Sequence, residues 1–387
     1  RLVIMTLKLI SLFTCGMGMD IGFEQAGFKT VYANDITKFA CNTITKNKNS
    51  IHCDLGDITD ISSKEILQRS GLKKNEADIV IGGPPCQSFS TAGVRKGFDD
   101  KRGIALLEFI RVIRQVRPKF FVFENVPGLK SIAKKHVSFY ERKAMEKSKL
   151  TKDEQYGSLF EEILEQFNSL DGYKFNHDVL NAADFGVAQK RKRFILIGSR
   201  MKKVSPELIF EQIKKKSNWA DPKKIKNSST KKHAWKTLEE EILGLDDPEK
   251  ECMKFPSWGK YLKYIPRGTG GNWTDLPDNI KNKAMGGAAD SDDPKRKGKQ
   301  GGRTGFYRRL AWNSPAPTLV TSPTQMGTCI CHPDEDRPLS VKEYARLQGF
   351  PDDWQFIGTT SQKYRMIGEA VPVQLAYVIA KSIKELI

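Results

Sequence analysis

The chain carries a cysteine in a frame that suits it to chemistry: Gly82-Gly83-Pro84-Pro85-Cys86-Gln87-Ser88-Phe89-Ser90, directly after the apolar run Asp78 to Ile81. Prolines stiffen the turn, and a turn after a buried strand places Cys86 at the carboxyl end of a sheet, where open α/β folds bind ligands. A thiol there attacks as thiolate once a helix N-terminus or nearby cations lower its pKa. The cysteines at 15, 41, 53, 252, 329 and 331 have no such frame and read as small buried apolar residues. A second apolar run ends on a carboxylate, Phe121-Val122-Phe123-Glu124-Asn125-Val126-Pro127. Partial desolvation would raise the pKa of Glu124 and fit it for general-acid work, with a plain surface carboxylate as the equal alternative. Gln189-Lys190-Arg191-Lys192-Arg193 leads into Phe194 to Ile197. On a continuous strand Arg191 and Arg193 share a face, so both guanidinium groups are expected at one site.

A glycine-rich turn, Phe13-Thr14-Cys15-Gly16-Met17-Gly18-Met19, follows the first apolar run. Such a turn lets backbone N–H groups approach a ligand, and the helix after it favours a negative group. Asn34-Asp35 comes about 20 residues later, at the spacing of a ribose-binding acid. Asp57-Ile58 stands where an adenine amino group could be met. In this order the three pieces imply a nucleoside cofactor.

The elements that must hold these residues follow from alternating apolar runs and helical spacing up to about Arg200. Strands are expected at Leu7 to Phe13, Thr30 to Ala33, Asp78 to Ile81, Lys119 to Phe123 and Arg193 to Ile197, and helices at Ile104 to Val116 and Gly157 to Leu170. This is the rhythm of a parallel sheet covered by helices on both faces. Lys130 to Tyr156 is polar and reads as a solvated helical insertion. After Arg200 lysine clusters, isolated tryptophans and glycine-rich stretches replace that rhythm, and Val371 to Leu386 reads as a closing helix. The expected division is 1–200 plus 361–387, a second domain at 201–335, and a return hinge at 336–360.

The 387 residues suffice for a large core and a smaller second domain, and 39% hydrophobic with 28% charged residues excludes disordered, collagen-like and membrane classes. No run reads as long enough to span a bilayer. With 64 basic against 46 acidic residues the net charge is +18, which points to a polyanionic partner. Residues 199–310 hold 26 Lys and Arg against 15 Asp and Glu, so the excess is concentrated there. Seven scattered cysteines and the lack of a secretory signal imply reduced thiols and a cytosolic setting, with Met5 a candidate natural start.

The order of these motifs resembles the DNA cytosine-5 methyltransferase family of bacterial modification systems. P-P-C-Q-x-F-S, E-N-V and Q-x-R-x-R fall in family order, and the likeness resumes at Arg308-Arg309-Leu310 and Pro317-Thr318. It continues through Arg337-Pro338-Leu339-Ser340 and Arg346-Leu347-Gln348-Gly349-Phe350-Pro351 to Gly368-Glu369-Ala370-Val371-Pro372. The resemblance implies a Rossmann-like α/β sheet of the S-adenosyl-L-methionine (AdoMet)-dependent methyltransferase type, with a smaller, irregular target-recognition domain. It implies Cys86 as the nucleophile that adds to cytosine C6, Glu124 as the acid at N3, Arg193 at O2, and Arg191 as its partner. Duplex DNA is the implied substrate, with the target base rotated out of the stack.

The implied AdoMet contacts are Phe13, Gly16, Gly18, Asp35, Ile36, Asp57, Ile58, Pro85, Glu369 and Val371, with S-adenosyl-L-homocysteine as product and no metal. Gln87 and Ser90 are implied DNA contacts. Arg267 and Arg303, in the glycine-rich basic middle, are candidates for reading guanine in the major groove. A cognate restriction endonuclease acting on the same site without a stable complex, a monomeric state, cytoplasmic location and no membrane association complete the expectation. Two departures stand out: Cys15 and Met17 occupy glycine positions of the family loop, and Glu369 stands where the family usually has Asn. Cys329-Ile330-Cys331-His332 lacks a second ligand pair and is not read as a zinc site. Two rival readings remain, methylation of a tRNA cytosine on the same scaffold and a catalytically silent DNA-binding homologue.

Overall fold

Runs that are mostly apolar become the middle strands of a sheet covered on both faces. In the computed structural model, which describes residues 6–85, 101–135, 137, 150–225, 232–285 and 305–387, these are β1 (Leu7–Leu12), β4 (Ile79–Gly82), β5 (Phe120–Asn125) and β8 (Lys192–Ser199). With β2 (Phe28–Asp35), β3 (His52–Leu55) and β6 (Lys174–Asn181) they form one sheet in the order β3-β2-β1-β4-β5-β8-β6. The expected strands are all present.

The two strands that patterning did not predict, β3 and β6, are the sheet's edges. Their sequences, HCDL and KFNHDVLN, carry polar residues because an edge is only half covered. The expectation of a wholly parallel sheet needs one correction. β8 runs antiparallel to both β5 and β6, because the link from β6 at 181 to β8 at 192 is too short for a parallel crossover.

Helices α1 (Gly18–Gln25), α2 (Lys38–Asn47), α3 (Ser63–Ser70), α4 (Lys101–Val116), α5 (Ser158–Asn168) and α6 (Pro206–Lys215) accompany this sheet. Side chains of Ile10, Leu12, Val80, Phe109, Phe121, Phe123 and Phe167 meet in its core. At the ends of the 130–156 stretch the described residues make two 3-10 turns, Pro127–Ser131 and Lys152–Glu154; 136 and 138–149, where the helical insertion is expected, lie outside the described residues.

The chain separates into two compact units, 1–181 with 192–216 and 376–387, and 182–191 with 217–375. These bounds place 182–191 and 361–375 in the second unit and 201–216 in the first. Two contacts account for much of this: the two-residue strand β7 (Gln189–Lys190) pairs with β13 (Ala316–Pro317), and α6 packs on β6. The second unit has short helices α7 (Pro222–Ile225), α8 (Leu238–Ile242), α9 (Asp278–Ala284) and α10 (Val341–Leu347), followed by α11 (Thr360–Glu369). Its further strands pair as β9 (Trp219–Ala220) with β10 (His233–Ala234) and β11 (Thr269–Gly271) with β12 (Arg309–Ala311).

Leu262, Ile265, Trp273, Leu276, Tyr307, Cys329 and Cys331 form an apolar cluster in this unit. Buried Arg309 donates to the carbonyls of Leu262, His332 and Glu335 and pairs with Asp336. Side-chain capping of loop carbonyls thus does here what regular ladders do in the first unit. Helix α12 (Val373–Lys384) returns the chain to the first unit. The stretch 360–384 has the length and hydropathy of a membrane span, but 78% of its most apolar window is buried inside the protein, as in a core helix.

Candidate active site

Strands β1, β4 and β5 are neighbours, and β1 lies where the strand order turns back, with β2 on one side and β4 on the other. The loops leaving their carboxyl ends therefore meet at the position where open α/β sheets bind ligands. Glu124, next to last in β5, is 8% exposed, and its Oε1 lies 2.8 Å from Arg193 Nε on β8. Register explains the pairing: Asn125 faces Phe194 across the antiparallel ladder, which brings residue 193 to the end of β5. Burial pushes the Arg193 guanidinium below its ordinary value, and the Glu124 carboxylate opposes that shift.

The turn after β4 is shaped to this pair. A Cβ on Gly83 would sit 2.7 Å from Glu124 Oε2, so a side chain there would displace the carboxylate. A Cβ on Gly82 would come within 2.9 Å of both the Leu12 carbonyl and the Phe109 ring. Asn125 Nδ2 donates to Pro84 O at 3.1 Å and ties the strand end to the Pro84-Pro85 turn, with Pro85 exposed. Sequence reasoning missed Gly83 and Asn125 as contributors, although both stand inside motifs it had singled out. Cys86, Gln87, Ser90 and Arg303 lie outside the described residues.

The glycine-rich loop carries side chains at positions with a glycine-like backbone. Cys15 (φ 52°) and Met17 (φ 66°) adopt the left-handed backbone that glycine ordinarily supplies, as does Phe13 (φ 55°). Met17 is fully buried and anchors the loop, and α1 begins at Gly18 with no side chain capping its N-terminus. Asp35 is 8% exposed and accepts from Cys15 N (2.8 Å), Thr37 N (2.8 Å) and Thr37 Oγ1 (2.6 Å). These leave about one of a carboxylate's four acceptor positions for a ribose hydroxyl.

Beside Asp35, Ile36 and Leu55 expose large apolar side chains (64% and 53%), an apolar surface of the kind an adenine ring covers. Asp57 caps the turn Ile58–Asp60 through Thr59 N at 3.0 Å. The Ile58 side chain lies in the sheet core rather than in the loop surface, while Arg111 Nη2 holds its carbonyl at 3.1 Å. An uncapped helix N-terminus, a partly satisfied carboxylate and exposed aliphatic side chains fit the carboxylate, ribose and base of AdoMet.

The expectation that Arg191 and Arg193 converge through strand alternation fails. Arg191 falls between β7 and β8, where the strand is interrupted, so the alternation does not carry across it. It is fully buried, and its guanidinium donates to the carbonyls of Leu319, Gly368 and Ala370. Val371 is buried, and Glu369 pairs with Arg365 one helical turn earlier at 3.0 Å. Arg267 is exposed and pairs with Asp336 at 3.3 Å. The 269–271 stretch beside it is a strand rather than an open loop, with Gly268 and Gly270 in left-handed conformations.

Cys329 and Cys331 are fully buried, and burial pushes the Cys331 thiol up to about 12. His332 Nδ1 accepts from the N–H groups of Asp334 and Glu335. Among the described residues no group of three or more His, Cys, Asp or Glu could hold a metal ion.

Comparison with known proteins gives one consistent result. Residues 7–385 match the model of the C-5 cytosine-specific DNA methylase family. The type II methyltransferase M.Eco47II of Escherichia coli is 35% identical over 379 residues, which is 98% of this chain and 79% of that protein. M.Sau96I of Staphylococcus aureus is 35% identical over 369 residues, 95% of this chain and 73% of that protein. Among solved structures, a DNA modification methyltransferase encoded within an E. coli prophage superposes with a TM-score of 0.61 at 23% identity, covering 98% of this chain and 99% of that one. Dnmt2 of S. pombe gives a TM-score of 0.56 at 15% identity, with coverage of 98% and 99%. At those identities the two structures speak for the fold, that of AdoMet-dependent methyltransferases.

Proposed function

The chain belongs to the C-5 cytosine-specific DNA methylase family, and on that premise we propose that it transfers a methyl group from AdoMet to C5 of one cytosine within a short duplex sequence, as the modification enzyme of a type II restriction system. The observation that carries the reading is the buried Glu124–Arg193 pair at the carboxyl end of β5, beside the turn that leads to Cys86. Cytosine C5 is too electron-poor to take a methyl group while the ring is aromatic. Addition of the Cys86 thiolate to C6 removes the 5,6 double bond and makes C5 nucleophilic, provided N3 is protonated as the thiolate adds.

Glu124 is the group for N3 and the exocyclic amine, and Arg193 orients it through their ion pair while holding O2. Bound AdoMet supplies the electrophilic methyl group. Loss of the C5 proton then expels Cys86 and restores the ring. These steps require the cytosine outside the base stack. The loop at 13–18 takes the methionine part of the cofactor, Asp35 the ribose, and Ile36 with Asp57 the adenine. The first unit is the catalytic part, and the basic second unit, with Arg267 and Arg303, reads the target.

The test is bisulfite sequencing of plasmid DNA from cells that express the chain. One protected cytosine inside a recurring short motif is the expected outcome, and it disappears in Cys86→Ser. Protection that persists in that variant would remove Cys86 from the mechanism, and uniform conversion with soluble protein present would refute the DNA reading.

A further inference from the structure

Between Lys254 and Arg267 the second unit carries four basic side chains and no acidic one. Within that stretch Ser257–Tyr264 forms a 3-10 helix of eight residues, long for a type whose hydrogen bonds align poorly and whose runs ordinarily stop after three or four. Side chains three residues apart eclipse in such a helix, so the sequence sorts into three faces. Gly259, Leu262 and the following Ile265 make the first. Leu262 and Ile265 are buried in the unit's apolar cluster, and a Cβ on Gly259 would lie 2.5 Å from Phe255 Cβ.

Trp258, Tyr261 and Tyr264 make the second face. The Trp258 and Tyr261 rings meet the buried Tyr307 edge to face, at centroid distances of 5.4 and 6.0 Å, and the Tyr307 hydroxyl donates to Ala284 O at 2.6 Å. Packing on two sides thus holds a helix that its own hydrogen bonds would hold poorly. Ser257, Lys260 and Lys263 make the third face, and all three are exposed.

Among the described residues neither of these lysines forms an ion pair, whereas Lys250, Arg267 and Lys281 nearby are each paired with a carboxylate. Each lies over the ring of the tyrosine that follows it, Lys260 Nζ 5.3 Å from the Tyr261 centroid and Lys263 Nζ 5.0 Å from that of Tyr264. A ring beside each stem restricts where the ammonium goes while leaving it hydrated. Three residues of 3-10 helix rise about 6 Å, close to the spacing of neighbouring phosphates along one nucleic-acid strand.

We propose that the Ser257–Lys260–Lys263 face is a docking surface for the phosphate backbone of the duplex substrate, with Lys260 and Lys263 meeting neighbouring phosphates of one strand. Charge complementarity selects the occupant: two ammonium groups without carboxylate partners, set at phosphate spacing on a packed helix, suit a polyanion of regular pitch. A lysine is a point charge without the planar fork that reads a base edge. The face therefore fixes the register of the duplex and carries no sequence choice, a role separate from that of Arg267 and Arg303. The inference rests on the reading above that duplex DNA is the substrate.

The experiment compares the full chain with Lys260→Gln/Lys263→Gln and with Lys202→Gln/Lys203→Gln. The second pair removes the same charge from exposed positions just past β8, at the end of the first unit's sheet away from Glu124. Binding to a duplex carrying the methylated motif and to a scrambled duplex is titrated between about 50 and 200 mM salt. Each neutralised phosphate adds about 0.9 to the steepness of log affinity against log salt, so Lys260→Gln/Lys263→Gln flattens the slope by about 1.8. The loss is equal on both duplexes, with AdoMet affinity and melting temperature unchanged. Lys260→Arg/Lys263→Arg keeps the slope, and so does the Lys202/Lys203 pair of substitutions.

An unaltered slope in Lys260→Gln/Lys263→Gln, or an equal flattening in Lys202→Gln/Lys203→Gln, would overturn the proposal. A loss confined to the motif duplex would make this face a reader of bases and overturn it as well. Failure of the unaltered chain to bind duplex DNA at any of these salt concentrations would instead sink the functional reading, and the proposal with it.

Discussion

Cys15 and Met17 both sit in left-handed backbone, yet the two positions carry opposite balances. A left-handed conformation costs a residue with a Cβ roughly 1–2 kcal/mol, and glycine regains part of that through the freedom of its unfolded chain. Cys15 is only half-buried, so Cys15→Gly should stabilise by about 0.5–1 kcal/mol, read as a higher urea midpoint. Met17 is fully buried, and Met17→Gly should destabilise by about 2–4 kcal/mol because the lost core contacts outweigh the relief. A rise in both midpoints would show that Met17 is no anchor.

Asp20 offers a second residue-scale test. It is buried beneath the same loop with Ser11 Oγ at 3.0 Å, and desolvation pushes its carboxyl up from 3.8 to about 8. Between those values the folded chain holds a proton that the unfolded chain releases, so stability falls as pH rises through that window. Asp20→Asn removes this slope. Its melting temperature relative to the unaltered protein should climb from pH 5 to pH 9, and an equal difference at both pH values would refute the argument.

At the scale of elements, the site depends on how closely the β4 turn approaches the end of β5. Gly83 is the point of contact, and Gly83→Ala should lower kcat at least tenfold by moving a carboxylate that Arg193 otherwise holds, with AdoMet affinity unchanged. Single-turnover methyl transfer and calorimetry separate the two quantities, and retention of full kcat would mean that the turn gives way instead. Elements also mark the limit of patterning. β5 was legible because its first four residues, Phe120 to Phe123, are apolar and fully covered, whereas β3 and β6 were not, since edges tolerate polar residues. The 189–193 motif was misread for a related reason. Alternation assumes one unbroken strand, and the break at Arg191 sends that side chain to the end of α11.

For the whole molecule, a net charge of +18 on 387 residues predicts that DNA affinity is largely a matter of counterion release. Between 50 and 200 mM salt the Kd for duplex DNA should rise by about 10³-fold or more if six or more phosphates are neutralised, with a linear log–log plot. A flat salt response in a binding titration would remove the basic second unit from the interface. The sequence by itself pointed to the chemistry: Cys86, Glu124, Arg193 and the glycine-rich turn stand out because motif order and apolar runs are local properties of the chain. It also determined the α/β class, since strands covered on both faces are mostly apolar. Only the tertiary structure decided that Glu124 pairs with Arg193, that a side chain at Gly83 would meet the Glu124 carboxylate, that Ile58 turns into the core and that Arg191 caps α11. Each depends on contacts between residues remote in sequence, which strand order and register create and which no local pattern records.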